Sequence, residues 1–531
     1  MGQWHRSGWT WIDSSPILLL LFVFVVLTLT GCASPQCPNE PLAGDRDPAH
    51  GYRFENLDVG AGNTDDVFVC LTFSGGGTRA GAMAYGVLTG LRDAALPLGD
   101  QSARGEFEGP GSLLDEVDLI SSVSGGSFVA MYYALFRDRT FDEEFKDAFL
   151  YRNIQRDLMV ATFNPANLVR LPFIGLDRID LAADLYSDTI FESHTFGDLI
   201  SSPGTRPFVV VNATNMATGR RFEFTQGDFD LLGSDMNTMP CGWATAASSA
   251  FPFLLSPLRL QYHAGAAADT AIMDILNDPS ADERRRRRYH WARMIARSPE
   301  APASSTDEGE APLGAWQAHE LDSEQHRFLY LLDGGISDNL GLDYVINAYR
   351  NGPIAHLIDQ GRIKRLVVIV VDAGNQLPSQ IERGQAAPGL FVVGYKTATI
   401  GIDNHTEVRI DLLQSLLQSA PRTRDQVLSY AAALREHVPE VPDPTLPGWA
   451  RVEPYVVHVS LNDVTDEDLR ERLLRMPTRF TLPKPDVDLI IETSRDLLLR
   501  DEEFVRLLRD LALESGHPES GLPVAGTNVG R

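Results

Sequence analysis

A serine, an aspartate and a row of three glycines each stand at the end of an apolar run, and together they suit acyl transfer. The serine is Ser124, in Ser122-Val123-Ser124-Gly125-Gly126. Before it, 117–123 is mostly apolar with an acidic break at Asp118 and reads as a buried strand; after it, 128–136 reads as a helix. A serine on a sharp strand-to-helix turn has its hydroxyl exposed. The adjoining helix N-terminus favours developing negative charge. The usual elbow is Gly-x-Ser-x-Gly; here Ser122 takes the first glycine's place and is small enough for a tight turn. Ser124 is the candidate nucleophile, although the pattern alone also fits a plain turn.

Two further segments carry the argument. Gly75-Gly76-Gly77 follows the apolar run 67–73 and precedes a helix. Glycines let a backbone approach a ligand closely, and consecutive N–H groups at a helix start form an anion cradle. In an acyl-transfer enzyme such a cradle holds the oxyanion of the tetrahedral intermediate. Elsewhere it is a phosphate loop or a simple turn. Nucleotide binding is disfavoured, because Gly-x-x-x-x-Gly-Lys-Ser/Thr is absent and the spacing is not Gly-x-Gly-x-x-Gly. Asp333 closes the apolar run 328–332 and leads into Gly334-Gly335. It reads either as a turn-forming aspartate or as the general base that takes the Ser124 hydroxyl proton.

Gly-Gly-Gly-x-Arg at 75–79, the elbow serine and Asp-Gly-Gly at 333–335, in that chain order, resemble the patatin-like phospholipases. A looser kinship is with the cytosolic phospholipase A2 catalytic domain. The resemblance spans residues 65 to 375. It implies a lipid acyl hydrolase of phospholipase A or lysophospholipase type, acting on phospholipids or other acyl esters without cofactor or metal. By the same resemblance Ser124 and Asp333 form a dyad with no histidine, and Gly75, Gly76 and Gly77 supply the oxyanion hole. Arg79 stands where the family has a basic residue supporting that hole. Ser122, Gly125 and Gly126 make the elbow turn, and Gly334 and Gly335 the turn after the aspartate.

The elements that must position these groups alternate between strand and helix. That pattern argues for an α/β fold with a mainly parallel central sheet covered by helices on both faces, carrying insertions. Residues 67–515 read as the catalytic domain, with an insertion at 261–325 and a flexible tail at 516–531. The stretch 32–66, rich in Pro, Gly, Asp and Asn, reads as a tether. Ala82, Gly86 and Gly90 form a small-residue stripe that lets their helix lie close to the sheet. An apolar stretch broken by proline, 168–175, is either a cap over an acyl groove or core. Residues 241–251 read as a small-residue helix ended by Pro252, and 386–437 as helices. Arg284 to Arg288 form either a headgroup patch or a solvated run balanced by nearby acids.

At the start of the chain, 17–27 is an unbroken apolar run of eleven residues, followed by Leu29-Thr30-Gly31-Cys32. A membrane span needs about 20 such residues, so 1–31 reads as a secretory signal. Leu-x-Gly-Cys resembles the lipobox of bacterial lipoproteins, which implies lipidation at Cys32 and, with Ala33 following, sorting to the outer membrane. The expected place is therefore the bacterial cell envelope, with the membrane as a partner through the anchor. The net charge of −26 argues against nucleic-acid binding. It also leaves docking on an anionic bilayer to the anchor. The four cysteines, Cys32, Cys37, Cys70 and Cys241, show no zinc spacing. A Cys70–Cys241 disulfide is conceivable, but two buried thiols are the preferred reading.

Two other functions compete. A Ser–His–Asp esterase would use Ser124, Asp372 and His405 or His458, in the chain order of the α/β-hydrolases. It leaves Asp333-Gly334-Gly335 without a purpose. The other is a lipoprotein that binds lipid on a retired hydrolase fold; the intact motifs speak against it.

Overall fold

Val67–Phe73, Val117–Val123, Phe208–Asn215 and Arg365–Asp372 are strands buried along their whole length. Runs of this kind belong to strands covered on both faces, since a half-exposed strand would alternate. They lie in a computed structural model that describes residues 37–43, 47, 49–59, 63–64, 66–96, 111–164, 177–201, 206–252, 254–263, 328–374, 390–438, 440 and 442–514. In chain order its strands are β1 (Glu40–Pro41), β2 (Val67–Phe73), β3 (Val117–Val123), β4 (Phe208–Asn215), β5 (Arg221–Glu223), β6 (Ser234–Asp235), β7 (Leu258–Gln261), β8 (Phe328–Asp333), β9 (Arg365–Asp372) and β10 (Glu453–Ser460). All but β1 and β6 form one sheet in the order β10-β9-β2-β3-β4-β8-β7, with β5 also on β4. From β10 to β4 the strands are parallel; β8, β7 and β5 run against their neighbours. The α/β class with a mostly parallel sheet flanked by helices is thus the one expected.

Register explains why three distant turns meet. Phe73 of β2 pairs with Ser122 of β3, Val123 with Asn212 of β4, and Ala213 with Asp333 of β8. The segments after β2 and β3 therefore leave side by side at the carboxyl edge of the parallel strands, where ligands of such sheets bind. Because β8 is antiparallel, it descends to that edge, and its last residue arrives at the level of the β3 end. The same aspartate at the end of a parallel strand in this position would begin its turn beyond the edge.

The flanking helices used below are α1 (Gly77–Asp93), α2 (Gly125–Phe136), α3 (Arg178–Thr189), α4 (Cys241–Ser248), α5 (Gly335–Asp338), α6 (Leu342–Asn351), α7 (Leu390–Arg435) and α8 (Lys484–Arg500). Under α2 the core is aromatic: Phe128 stacks on Phe149 with ring centres 4.2 Å apart and meets Tyr186 of α3 edge-on at 4.9 Å. Phe145, Phe149, Phe191 and Phe196 are buried, so the described residues on either side of the proline-broken stretch serve as core. The stretch 168–175 itself lies outside the described residues.

Several expectations need correction. The tether does not begin to fold only at Val67. Tyr52 is fully buried, its ring stacks on Phe208 at 4.7 Å, and its hydroxyl donates to the Val209 carbonyl and accepts the Val209 N–H. Phe54 and Leu57 are buried with it, and Asn39 bonds Ser234 at 2.7 Å. Three large side chains in an irregular segment pin it to the sheet without any periodic signal. The small-residue stripe on α1 does not face the sheet either. A side chain at Gly86 would strike the Ile491 carbonyl, and one at Gly90 would lie 2.9 Å from Leu498, so the stripe admits α8. The helices expected over 386–437 form the single helix α7, with Pro421 inside it. Cys70 and Cys241 are buried and unbonded to each other. The signal segment, Cys32, Arg284 to Arg288 and the tail at 516–531 lie outside the described residues. The ends of the insertion at 261–325 abut paired residues, Gln261 and Phe328. Among the described residues no helix is long and apolar enough to cross a membrane.

Candidate active site

Ser124 caps α2 with φ 48° and ψ −119°, a conformation that a side chain adopts only under strain of roughly 1–3 kcal/mol. The turn is sharp enough to lift the hydroxyl off the β3 end. Its neighbours make room. A side chain at Gly125 would fall on the Gly77 carbonyl, and one at Gly126 would lie 2.7 Å from the Phe73 Cβ. The elbow and the first glycine turn therefore touch backbone to backbone. Ser122, in the place of the usual glycine, is fully buried and donates its hydroxyl to the Val210 carbonyl at 3.2 Å. The departure from the elbow pattern is absorbed by β4.

Asp333 ends β8 with its carboxylate buried, and Oδ1 accepts the Gly335 N–H at 2.8 Å. The Ser124 side chain lies near enough to this carboxylate to lower its affinity for protons. Burial pushes the Asp333 carboxyl up from 3.8 to about 7, against the lowering effect of the Gly335 N–H and the Ser124 hydroxyl. A carboxyl with that affinity for protons changes state near neutrality, which suits alternating uptake and release. The turn after it is as tight as the elbow: a side chain at Gly334 would overlap the Asn212 carbonyl, and one at Gly335 would lie 2.8 Å from Asn339 Oδ1.

The first glycine turn is less uniform than its sequence. Gly75 donates its N–H to the Asn339 carbonyl at 3.0 Å, so of the three expected oxyanion donors this one is already engaged. Gly76 and Gly77 follow at φ 144° and 61°, and α1 starts at Gly77, leaving their N–H groups at a helix N-terminus. A side chain at Gly75 would come 3.4 Å from the Ser124 Cβ, so the turn passes directly beside the hydroxyl. Arg79 does not reach into this space. It is buried, and its guanidinium donates to the carbonyls of Met476 at 2.9 Å and Ala373 at 2.6 Å and to the Thr478 hydroxyl at 3.2 Å. Ala373 in turn donates its N–H to Ser74 Oγ at 2.8 Å. Arg79 thereby fixes the glycine turn through the end of β9, a supporting part rather than a donor to substrate.

Four residues outside the glycine motifs complete the site. Ser248, at the end of α4, accepts the Ser124 N–H at 2.8 Å. Asn212 of β4 donates Nδ2 to Ser121 Oγ and to the Ser122 carbonyl, both at 3.0 Å. Asn339 joins the first glycine turn to the turn after Asp333. Thr214 donates to the Asp333 carbonyl at 2.8 Å. Asn339 was adjacent to the Asp-Gly-Gly motif in sequence; for the other three no local signal exists.

Asp372 and His458 do pair, with Oδ2 and Nε2 3.7 Å apart. Burial works against charge on His458, but Asp372 prevails and raises its affinity for a proton. They stand on β9 and β10, with β2 between them and β3, whereas the Ser124 side chain acts on the Asp333 carboxyl. The geometry gives the histidine-based triad no support; the His405 side chain lies outside the described residues. Among the described residues no group of His, Cys, Asp or Glu gathers as a metal site.

The contact between the elbow and the glycine turn yields a direct expectation. Gly125→Ala sets a methyl against the Gly77 carbonyl, which belongs to a backbone and cannot swing away. Overpacking of this kind costs about 1–3 kcal/mol, and a displacement near 1 Å at the reacting groups costs about 10²-fold in rate. Ester hydrolysis is expected to fall by that factor while circular dichroism still reports a folded protein. Near-normal turnover would show that the two turns do not share one reaction space.

Residues 71–276 match the family model described as patatin-like phospholipase. This part of the chain is thus similar to a patatin-like phospholipase domain. The matched stretch includes Gly75 to Gly77, Ser124 and Ser248 and ends before Asp333. Among solved structures, the human GIVD cytosolic phospholipase A2 is similar with a TM-score of 0.38 and 14% identity, covering 87% of this chain and 61% of that one. VipD from Legionella pneumophila is similar with a TM-score of 0.30 and 11% identity, covering 82% and 66%. The chain spans less than two thirds of the length of either. No curated protein matches.

Proposed function

We propose that this protein is a serine acyl hydrolase of phospholipase A or lysophospholipase type, with Ser124 as nucleophile and Asp333 as general base. The observation that carries the reading is the convergence of the strained Ser124 elbow, the first glycine turn 3.4 Å from the Ser124 Cβ, and the buried Asp333 carboxylate, whose affinity for protons the Ser124 side chain lowers. Asp333 takes the hydroxyl proton as Ser124 Oγ attacks the ester carbonyl. The Gly76 and Gly77 N–H groups hold the oxyanion, and the α2 N-terminus adds its favourable field. Collapse of the intermediate expels the lysolipid or alcohol, which leaves with the proton from Asp333. Water then attacks the acyl-serine, Asp333 takes its proton, and the second collapse frees the fatty acid and restores Ser124. Each cycle thus uses one ester and one water and leaves the dyad unchanged.

Incubating purified protein with mixed phospholipids and following products by mass spectrometry tests this, with Ser124→Ala as control. Free fatty acid and lysolipid should accumulate only with the unaltered serine. Equal products from both proteins would reject it.

The place of action belongs to the same reading. We propose a lipid-anchored envelope protein, outer-membrane sorted, attached through Cys32, on the strength of Leu29-Thr30-Gly31-Cys32 and the apolar run before it. Two or three acyl chains suffice for stable anchoring at about 0.8 kcal/mol per buried methylene. Cells fed labelled palmitate should label the protein, and Cys32→Ala should abolish the label; label retained in the variant would remove the anchor from this position.

A further inference from the structure

Beyond the dyad, one residue holds both of its halves. Ser248 is fully buried at the end of α4. Its Oγ donates to the Asn212 carbonyl at 2.6 Å, accepts the Ser124 N–H at 2.8 Å, and lies 3.2 Å from Ser127 Oγ. A hydroxyl has one proton and two lone pairs. The proton must go to the Asn212 carbonyl, which can only accept, so Ser127 is the donor in the remaining contact. Every valence of the Ser248 oxygen is then used. Its backbone carbonyl accepts the Gly334 N–H at 3.1 Å, and two residues on, the Ala250 carbonyl accepts the Asp333 N–H at 3.0 Å.

Resting on the Ser124–Asp333 reading, we infer that Ser248 is a positioning residue, whose hydroxyl locks the backbone of the nucleophile while its carbonyl locks the turn of the base. The geometry explains why such a lock is needed. Ser124 is held at φ 48°, and a strained residue persists only where surrounding contacts over-determine it. Ser127 N–H bonds back to the Ser124 carbonyl at 2.9 Å, which fixes one side of the elbow; Ser248 fixes the other. Its occupation of the Ser124 N–H also removes that amide from the oxyanion and leaves the task to the Gly76–Gly77 turn. Without the hydroxyl the Ser124 N–H is buried beside a methyl, and the elbow relaxes away from Asp333.

The test compares wild type with Ser124→Ala, Ser248→Ala, Ser248→Cys and Ser249→Ala on a soluble short-chain ester, measuring kcat, KM and the pH profile. Ser249 is the neighbouring buried hydroxyl and bonds the α4 carbonyls of Thr245 and Ala246, so its removal controls for a lost serine in this helix. Both Ser248 variants are expected to lose about 10²-fold in kcat while KM stays within about twofold. The acid limb should move to higher pH, because the Ser124 hydroxyl that lowers the Asp333 affinity for protons is drawn away. A helix that is merely loosened would leave the limb in place. Cys is included because it fills the same volume with a weak acceptor, should the alanine variant fail to fold. An inactive Ser124→Ala beside Ser248 variants that match Ser249→Ala, or that keep the acid limb unmoved, overturns this inference alone. A fully active Ser124→Ala overturns the dyad and this inference together. Failure of both Ser248 variants to fold assigns the hydroxyl to folding and likewise overturns it.

Discussion

Ser124→Ala is expected to lower kcat for ester hydrolysis by about 10⁴-fold or more, the range seen when the nucleophile of a serine hydrolase is removed. The size follows from what alanine keeps and what it loses. The Ser124 N–H still reaches Ser248 and the Ser124 carbonyl still accepts from Ser127, so the elbow remains tied on both sides. The φ of 48° is no harder for alanine than for serine, and stability should change little. The atom proposed to form the acyl bond is lost. Residual turnover would come from the glycine turn and from substrate binding alone, acting on water. Fluorophosphonate labelling should vanish together with turnover. A variant that keeps most of its rate would place the nucleophile elsewhere and remove the reason for the contacts around the elbow.

The three turns were legible in the sequence because each carries its signature within a dozen residues: an apolar run, a sharp break at glycine and, in two of them, one candidate reactive side chain. What each turn demands of its neighbours is partly local too, since Gly125 and Gly334 are small because another backbone lies against them. What lies against them is not local. Gly86 and Gly90 announce a close neighbour, but only the fold says that it is α8 and not the sheet. Arg79 is read easily as a basic residue near a glycine turn; its partners, Ala373 and Met476, lie 294 and 397 residues away. Ser248 is one hydroxyl in Ala244-Thr245-Ala246-Ala247-Ser248-Ser249-Ala250, where three hydroxyls look alike. Thr245 and Ser249 bond their own helix, whereas the end of α4 meets β3, β4 and the turn after β8 at Ser248. Tyr52 shows the same limit from the packing side. A buried tyrosine in a proline-rich segment has no period to betray it, and its place is set by an open pair of backbone groups at Val209.

Asp333→Asn is expected to cost about 10²–10⁴-fold in kcat, the usual worth of a general base, and to abolish the acid limb of the pH profile. Asparagine has the same shape and an oxygen that can accept the Gly335 N–H, so the turn survives. It cannot take a proton from Ser124. As the proposed base, Asp333 must be ionised to act, and burial raises its half-ionisation to about 7, so the rate should climb from acid pH through that point and then level. The variant has no such ionisation, and its residual rate should be flat across the same window. Stability supplies an independent check with the opposite sign. The Asp333 carboxyl is raised in the folded chain, so its contribution is fully present below the unfolded value of 3.8 and is lost as pH rises through about 7. Wild type should therefore lose thermal stability relative to Asp333→Asn between pH 5 and pH 9. Slower turnover together with a relative gain in alkaline stability is what a carboxylate kept buried for chemistry produces. If the variant is slower and also relatively less stable at alkaline pH, Asp333 serves the turn, and the base must be sought in another side chain.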